Sequence, residues 1–84
     1  MNHTEAIKKV MNETGTLQKD LVKQIGVKSQ SVISSRINHE NISVKALLEI
    51  LDAMGYELVV RESYGEYGRC DFPIRLQDYE RRGK

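Results

Sequence analysis

The chain has little of the chemistry that cross-links or metallates a small protein. Among its 84 residues there is one cysteine, one proline, one phenylalanine and no tryptophan. A single thiol, Cys70, can form neither a disulfide within the chain nor a zinc site, so we expect it to be inert. No apolar run approaches the roughly 18 residues of a membrane span, and no apolar stretch resembling a secretory signal opens the chain. We expect one cytoplasmic domain with no membrane partner.

Catalytic patterns are missing as well. The chain has no glycine-rich phosphate loop, no H-E-x-x-H pattern and no pair of cysteines, and its two histidines, His3 and His39, have no neighbouring cysteine. We therefore expect no enzymatic activity, no metal site and no cofactor. The net charge of +1 does not by itself indicate nucleic acid, since DNA-binding domains usually carry a basic surplus. Residues 1–42 carry +2 and residues 43–84 carry −1, which is a small bias towards the N-terminal half.

What the chain does have is helical periodicity in its first two thirds. Residues 4–13 carry one apolar stripe and predict a first helix, capped by Thr4 and stopped at Gly15. Thr16 is predicted to cap a second helix over residues 17–24. Gly26 follows this helix and is predicted to lie in a tight turn with positive φ.

Two further helices are predicted after this turn. Residues 29–37 form a serine-rich segment that we expect to begin at Ser29, because serine is a good cap and a poor helix interior residue. Ser43 is predicted to cap a fourth helix that closes at Gly55. The apolar stripe of this fourth helix is predicted to consist of Val44, Leu47, Leu48, Leu51 and Met54.

After Gly55 the apolar period changes from that of a helix to that of a strand. Residues 56–62 predict a strand, and residues 72–76 predict a weaker one that Pro73 confines to an edge. Because the first strand is apolar on both faces, we expect it to pair with residues 70–76, across a dimer, or both. Residues 63–68 are expected to form a loop, and residues 77–84 a flexible basic tail.

Two short helices separated by a glycine-containing turn form the helix-turn-helix pattern. Gln18 opens the first of them, Val22 lies at an apolar position within it, and Gly26-Val27 start the turn. Together with the serine-rich helix that ends in Ile37-Asn38, these residues resemble the phage Cro and lambda-repressor (XRE-like) family. The resemblance extends over residues 4–56.

The resemblance has two departures. Val22 is bulkier than the alanine usual in the family, and Lys28 stands where the family usually has serine. Either Lys28 takes the cap position of the third helix, or the turn is one residue longer and Ser29 caps. The second register is preferred, because it turns Ile33 and Ile37 inward.

The resemblance implies a mainly α fold. We expect a four-helix helix-turn-helix DNA-binding domain over residues 1–56, followed by a C-terminal β-strand or β-hairpin extension over residues 57–76 that makes a dimer, as in Cro. The implied function is that of a sequence-specific transcriptional regulator, a small repressor or autoregulator. As a homodimer it would bind a double-stranded DNA operator with two recognition helices about 34 Å apart.

The same resemblance places residues 29–37 in the major groove. The candidates for base contacts carry hydroxyl or amide groups, since glutamine can pair with adenine through two hydrogen bonds and serine can pair with any base. These candidates are Ser29, Gln30, Ser31, Ser34 and Ser35. The candidates for phosphate contacts flank them and are Gln18, Lys28, Arg36, Asn38, His39 and Asn41. Alternatively, Arg36 pairs with Glu40 on the helix surface.

The near-neutral charge keeps a second hypothesis open. The chain would then be a protein-interaction adaptor or inhibitor built on a helix-turn-helix scaffold without DNA binding, since one fold hosts several functions. Salt-dependent DNA affinity separates the two hypotheses, because only phosphate contacts produce a steep salt dependence. No small-molecule effector is predicted for a chain of this size.

Overall fold

The computed structural model of the chain describes residues 1–61 and 72–80. Within these residues four helices are followed by two short strands and one further helical turn, which confirms the predicted class: mainly α with a C-terminal β-hairpin. The elements are α1 (His3–Thr14), α2 (Gln18–Ile25), α3 (Gln30–Asn38), α4 (Val44–Ala53), β1 (Leu58–Val60), β2 (Phe72–Ile74) and α5 (Gln77–Glu80). The predictions for Cys70, for the loop 63–68 and for tail residues 81–84 lie outside the described residues.

Helix α1 begins earlier than predicted. Asn2, not Thr4, is the cap: its side chain accepts a hydrogen bond from the Glu5 amide at 2.9 Å, and the Glu5 carboxylate accepts one from the Asn2 amide at 3.1 Å. This reciprocal capping box satisfies two amides at once, which a single Thr4 hydroxyl does not do. The Thr4 hydroxyl donates to the Ile37 carbonyl at 2.7 Å and so joins the start of α1 to the end of α3.

Helix α2 also begins differently from the prediction. Leu17, not Thr16, takes the cap position. Its backbone amide donates a hydrogen bond of 2.9 Å to the carboxylate of Asp20, in the first turn of α2. The two glycine stops are confirmed: Gly15 has a φ of 71° after α1, and Gly26 has a φ of 85° after α2. This left-handed backbone is costly for any residue with a Cβ atom.

The caps of the next two helices are as predicted. Ser29 takes the N-cap position of α3 in an extended conformation, so the longer of the two turns is the correct one. The Ser43 hydroxyl accepts a hydrogen bond from the Ala46 amide at 3.0 Å and caps α4.

The core lies between α1, α2, α3 and α4. Its fully buried side chains are Ile7, Leu21, Ile33, Ile37 and Ile50, each no more than 1% exposed. The predicted stripe of α4 is wrong at one end: Val44 is 43% exposed, and Ile50, which the stripe left out, is buried. Val44 is the first residue of α4 and precedes the turns that face the core.

The hairpin forms within the chain. Strands β1 and β2 are antiparallel, with Leu58 opposite Ile74, Val59 opposite Pro73 and Val60 opposite Phe72, which confirms the predicted pairing. Both strands are shorter than predicted. β1 starts late because the Tyr56 amide donates to the Leu51 carbonyl at 2.9 Å and belongs to the end of α4, and β2 ends early because the carbonyls of Arg75 and Leu76 accept from the amides of Asp78 and Tyr79 in the turn that leads into α5. Residues 77–80 differ from the expected irregular tail, since they form the helical turn α5. Among the described residues, no helix has the length and apolar character needed to cross a bilayer.

Candidate nucleic-acid interface

One side of helix α3 packs into the hydrophobic core, and the other side faces solvent. Ile33 and Ile37 are buried in the core with Leu21 of α2, and Val27 of the intervening turn packs against the same cluster. Four residues, 26–29, join α2 to α3. Because side chains of a helix repeat every 3.6 residues, burial of Ile33 and Ile37 leaves the opposite side of α3 to solvent.

This open side of α3 is polar and uncharged. Ser31, Ser35 and Asn38 lie on this side and are exposed, and Ser34 is half-buried at its margin. Ser29 at the N-cap and Gln30 at the first position of α3 are exposed as well, ahead of the turns that carry Ile33 and Ile37. All of the predicted base contacts therefore belong to one helix, and most of them face solvent. Their hydroxyl and amide groups both donate and accept hydrogen bonds.

The hydroxyls at the start of α3 are not used to cap the helix. Ser29 occupies the N-cap position, but its side chain makes no capping hydrogen bond. Its Oγ lies 2.9 Å from Oγ of Ser31 instead. No hydrogen-bond partner contacts the Gln30 side chain within the described part of the chain, so this amide is open to a ligand.

The other end of α3 carries two oriented polar groups. Nδ2 of Asn38 donates to the Ser34 carbonyl at 2.8 Å, which leaves the Asn38 amide oxygen as an acceptor. Nδ1 of His39 accepts a hydrogen bond from the Asn41 amide at 2.9 Å. In the neutral ring the proton is then on Nε2, which is a donor for an anionic ligand.

Arg36 is placed apart from the open side. Its Nη1 donates to Oε1 of Glu49 in α4 at 3.2 Å, and the two side chains are 34% and 25% exposed. The alternative pairing of Arg36 with Glu40 is wrong. Helix α3 ends at Asn38, so Glu40 is not one helical turn ahead of Arg36 on the same face.

The predicted phosphate contacts fall into two groups. The first group precedes α3 in the chain. It consists of Gln18, which is half-buried at the first position of α2, and Lys28, which is exposed in the turn between α2 and α3. Arg36, His39 and Asn41 line a cavity of about 190 Å³ between the end of α3 and the start of α4, and Asn38 is the last residue of α3. Lys28 and His39 flank the nine residues of α3, which are about 13 Å long.

One electrostatic signal is hidden by the near-neutral total charge. Residues 21–39 contain no aspartate or glutamate, whereas they include Lys23, Lys28 and Arg36. This acid-free segment covers most of α2, the turn and all of α3. It is visible in the sequence when the charges are counted locally. The contacts of Glu49 and Thr4 with α3 cannot be found in this way, because each residue is far in the chain from its partner in α3.

The described residues contain no group of three histidine, cysteine or acidic side chains that could hold a metal ion. Comparison of the chain with protein-family models, with characterised proteins and with solved structures gives no match. The case for a function therefore depends on the residues of this chain.

Proposed function

We propose that the chain is a sequence-specific DNA-binding transcriptional regulator, a small repressor or autoregulator of the Cro and lambda-repressor kind. Helix α3 enters the major groove of a double-stranded operator. The observation that supports this most is the open side of α3, which is neutral, rich in hydrogen-bonding groups and free of carboxylates. A major groove presents donors and acceptors of the kind that such side chains pair with.

Base contacts are assigned to the exposed side chains near the start of α3. The Gln30 amide has the geometry to make two hydrogen bonds with an adenine, whereas Ser29 and Ser31 donate to or accept from any base. Their short side chains require α3 to approach the base edges closely. Ser34 and Ser35 lie one turn further along α3 and are assigned to the bases that follow.

Phosphate contacts are assigned to residues that precede and follow α3 in the chain. Lys28 supplies charge at the turn, and Gln18 and the adjacent first turn of α2 supply donors. His39, through its Nε2–H group, and Asn41 supply donors beyond the end of α3. Such contacts fix the position of α3 in the groove and carry no sequence information themselves.

The operator is read by two copies of the chain in this proposal. A single nine-residue α3 covers only a short half-site, and two-fold operators place the half-sites about 34 Å apart. The exposed apolar side chains of the hairpin, above all Val60 and Phe72, supply a surface for the second copy.

The substitution Gln30→Ala tests the base contacts. It is expected to relax the base preference, which a selection from random duplexes followed by sequencing measures, and to weaken binding to the selected site about five- to a hundredfold. The matched substitution Lys28→Ala is expected to weaken binding equally for all sequences and to flatten the salt dependence by about 0.9 in the log–log slope.

The proposal fails at a definite point. If Gln30→Ala leaves both affinity and base preference unchanged, α3 is not the helix that reads the bases. If Lys28→Ala changes the base preference as Gln30→Ala does, the separation into base and phosphate contacts is wrong.

A second candidate function is a protein-interaction adaptor or inhibitor on the same scaffold. It is favoured by the exposed apolar residues of the hairpin, of which Val60 is 52% and Phe72 is 62% exposed, and by the net charge of +1. An adaptor of this kind has no salt-dependent affinity for duplex DNA, so the same titrations distinguish it from the regulator.

A further inference from the structure

We infer that Glu49 limits the DNA affinity of the chain by holding Arg36 out of the phosphate contacts. The inference rests on the proposed function, since it takes α3 as the helix that enters the groove. It assigns a role to a carboxylate of α4, a helix that makes no base contact in the proposal. Glu49 is a positioning residue in this account and does not itself touch DNA.

Arg36 is the only charged residue of α3, and its charge is already matched. Its Nη1 lies 3.2 Å from Oε1 of Glu49, and the pair is joined by this one hydrogen bond. About two thirds of the Arg36 side chain and three quarters of the Glu49 side chain are buried. Partial burial strengthens the attraction between two opposite charges relative to a pair in open solvent.

Arg36 lies close to residues that are proposed to contact DNA phosphates, so its pairing with Glu49 affects the charge that a phosphate meets. The cavity that Arg36 lines at the end of α3 also includes Ser35, His39 and Asn41. His39 and Asn41 are both exposed and are assigned to phosphates in the proposed function. A guanidinium released from Glu49 is therefore beside the groups that meet the DNA backbone.

The electrostatic effect has a definite direction. A guanidinium stays protonated in proteins, so only its partner decides how much positive charge a phosphate meets. While Glu49 is paired with Arg36, the two charges cancel at the distance of a phosphate. Affinity is then lowered about equally for all sequences, because phosphate contacts carry no sequence information, whereas the hydrogen bonds from Gln30 and the serines to bases are unaffected.

The direct test is Glu49→Gln, which removes the negative charge and keeps the size of the side chain. Binding of the purified full chain to a fluorescent random-sequence duplex is measured by anisotropy over a range of salt. One added phosphate contact steepens the log–log salt slope by about 0.9, so the gain in affinity over the wild type shrinks roughly 3.5-fold between about 50 and about 200 mM salt.

A matched control is available on α1. Glu13→Gln makes the same chemical change, the same change in net charge, and also releases a cation, since Lys9 lies 3.7 Å from Glu13 in an exposed pair. Lys9 is outside the acid-free segment 21–39. Glu13→Gln is therefore expected to keep the wild-type slope.

The substitution Arg36→Gln tests the other half of the inference. If Glu49 keeps Arg36 away from phosphates, Arg36→Gln keeps the wild-type slope, and the double substitution of Arg36 and Glu49 to glutamine abolishes the steepening produced by Glu49→Gln alone. Thermal unfolding of each variant shows which variants are folded. If Glu49→Gln does not fold, the salt slope of Arg36→Gln is the test.

Two results overturn the inference while leaving the proposed function intact. One is a folded Glu49→Gln protein with the wild-type slope. The other is an Arg36→Gln protein whose slope is flatter by about 0.9, which means that Arg36 contacts a phosphate in spite of Glu49. A wild-type chain that does not bind duplex DNA at low salt overturns the proposed function together with the inference.

Discussion

The four-helix part of the chain and its hairpin use their apolar residues in opposite ways. In α1, α2, α3 and α4 the five central side chains are at most 1% exposed. In the hairpin, Val59, Val60 and Phe72 are 42%, 52% and 62% exposed. The helices therefore have a core that closes within one chain, whereas the hairpin presents most of its apolar surface outward. Burial that stabilises the fold is therefore concentrated in the helices, and the hairpin is the surface that the proposed function assigns to a second copy.

The same division is repeated within α3. One side of the helix supplies Ile33 and Ile37 to the core, and the hydrogen bonds of the exposed polar side chains Ser29, Ser31 and Asn38 stay within residues 29–38. Ser29 shows this most clearly, because it stands at a cap position without capping. Polar groups with no structural use on a rigidly held helix are what a binding surface needs.

The largest expected effect comes from breaking the core. Ile33→Ala removes a side chain that is 0% exposed and is expected to lower the free energy of unfolding by about 2–5 kcal/mol. Urea denaturation followed by circular dichroism at the helical band measures this. A loss below about 1 kcal/mol would show that α3 is not locked into the core as described.

An intermediate effect distinguishes two serines at equivalent positions. Ser43→Ala removes the hydroxyl that caps α4 and is expected to cost about 1 kcal/mol. Ser29→Ala removes a hydroxyl that makes no capping bond and is expected to leave the free energy of unfolding nearly unchanged, while it weakens DNA binding. The same urea titrations compare the two variants. Equal destabilisation by both would mean that Ser29 is a structural cap and that its role in binding is unsupported.

Among the apolar residues, the smallest expected effect on stability is in the hairpin. Phe72→Ala deletes a large apolar side chain that is mostly in solvent, so less than about 1 kcal/mol of unfolding free energy is expected to be lost. Sedimentation of the same variant tests whether it associates less than the wild type. A loss of stability as large as that of Ile33→Ala would place the hairpin in the core and remove the contrast between the two regions.

The helical part was largely predictable because its signals are local. Apolar spacing, the glycines at positions 15, 26 and 55, and the Ser43 cap each act within one or two turns. The cap of α1 also has a local signal, since Asn2 and Glu5 have the spacing of a capping box. Ile50 has one too: Leu47, Ile50, Leu51 and Met54 have helical spacing, whereas Val44 lies too early in α4 to face the core.

The remaining features depend on contacts between distant parts of the chain. The Thr4–Ile37 hydrogen bond and the Arg36–Glu49 pair join residues 33 and 13 positions apart. No periodicity indicates such pairs. The register of the hairpin is similar, because three-residue strands carry too few side chains for an alternation to specify it.

For the candidate site, the helix and the types of residue could be predicted from the sequence. The hydrogen-bond partners of those residues could not. The exposure of Ser31 and Ser35 follows from the period of α3 once Ile33 and Ile37 are inward. Gln30 lies three and seven residues before these two isoleucines, on their side of the helix, and it is exposed because it is the first residue of α3. The engagement of Arg36 by Glu49 does not follow from this period, because it depends on how α3 and α4 pack. The orientation of the His39 ring likewise depends on the backbone after α3.

The central claim is that α3 places this chain on duplex DNA, and one titration tests it most directly. The purified full chain is titrated against a labelled random-sequence duplex, with unlabelled duplex from the region upstream of its own coding sequence as the competitor, at about 50 and about 200 mM salt. The account predicts binding that weakens steeply with salt and that the upstream duplex competes for best. No binding at the lower salt, or an affinity that salt leaves unchanged, would contradict it.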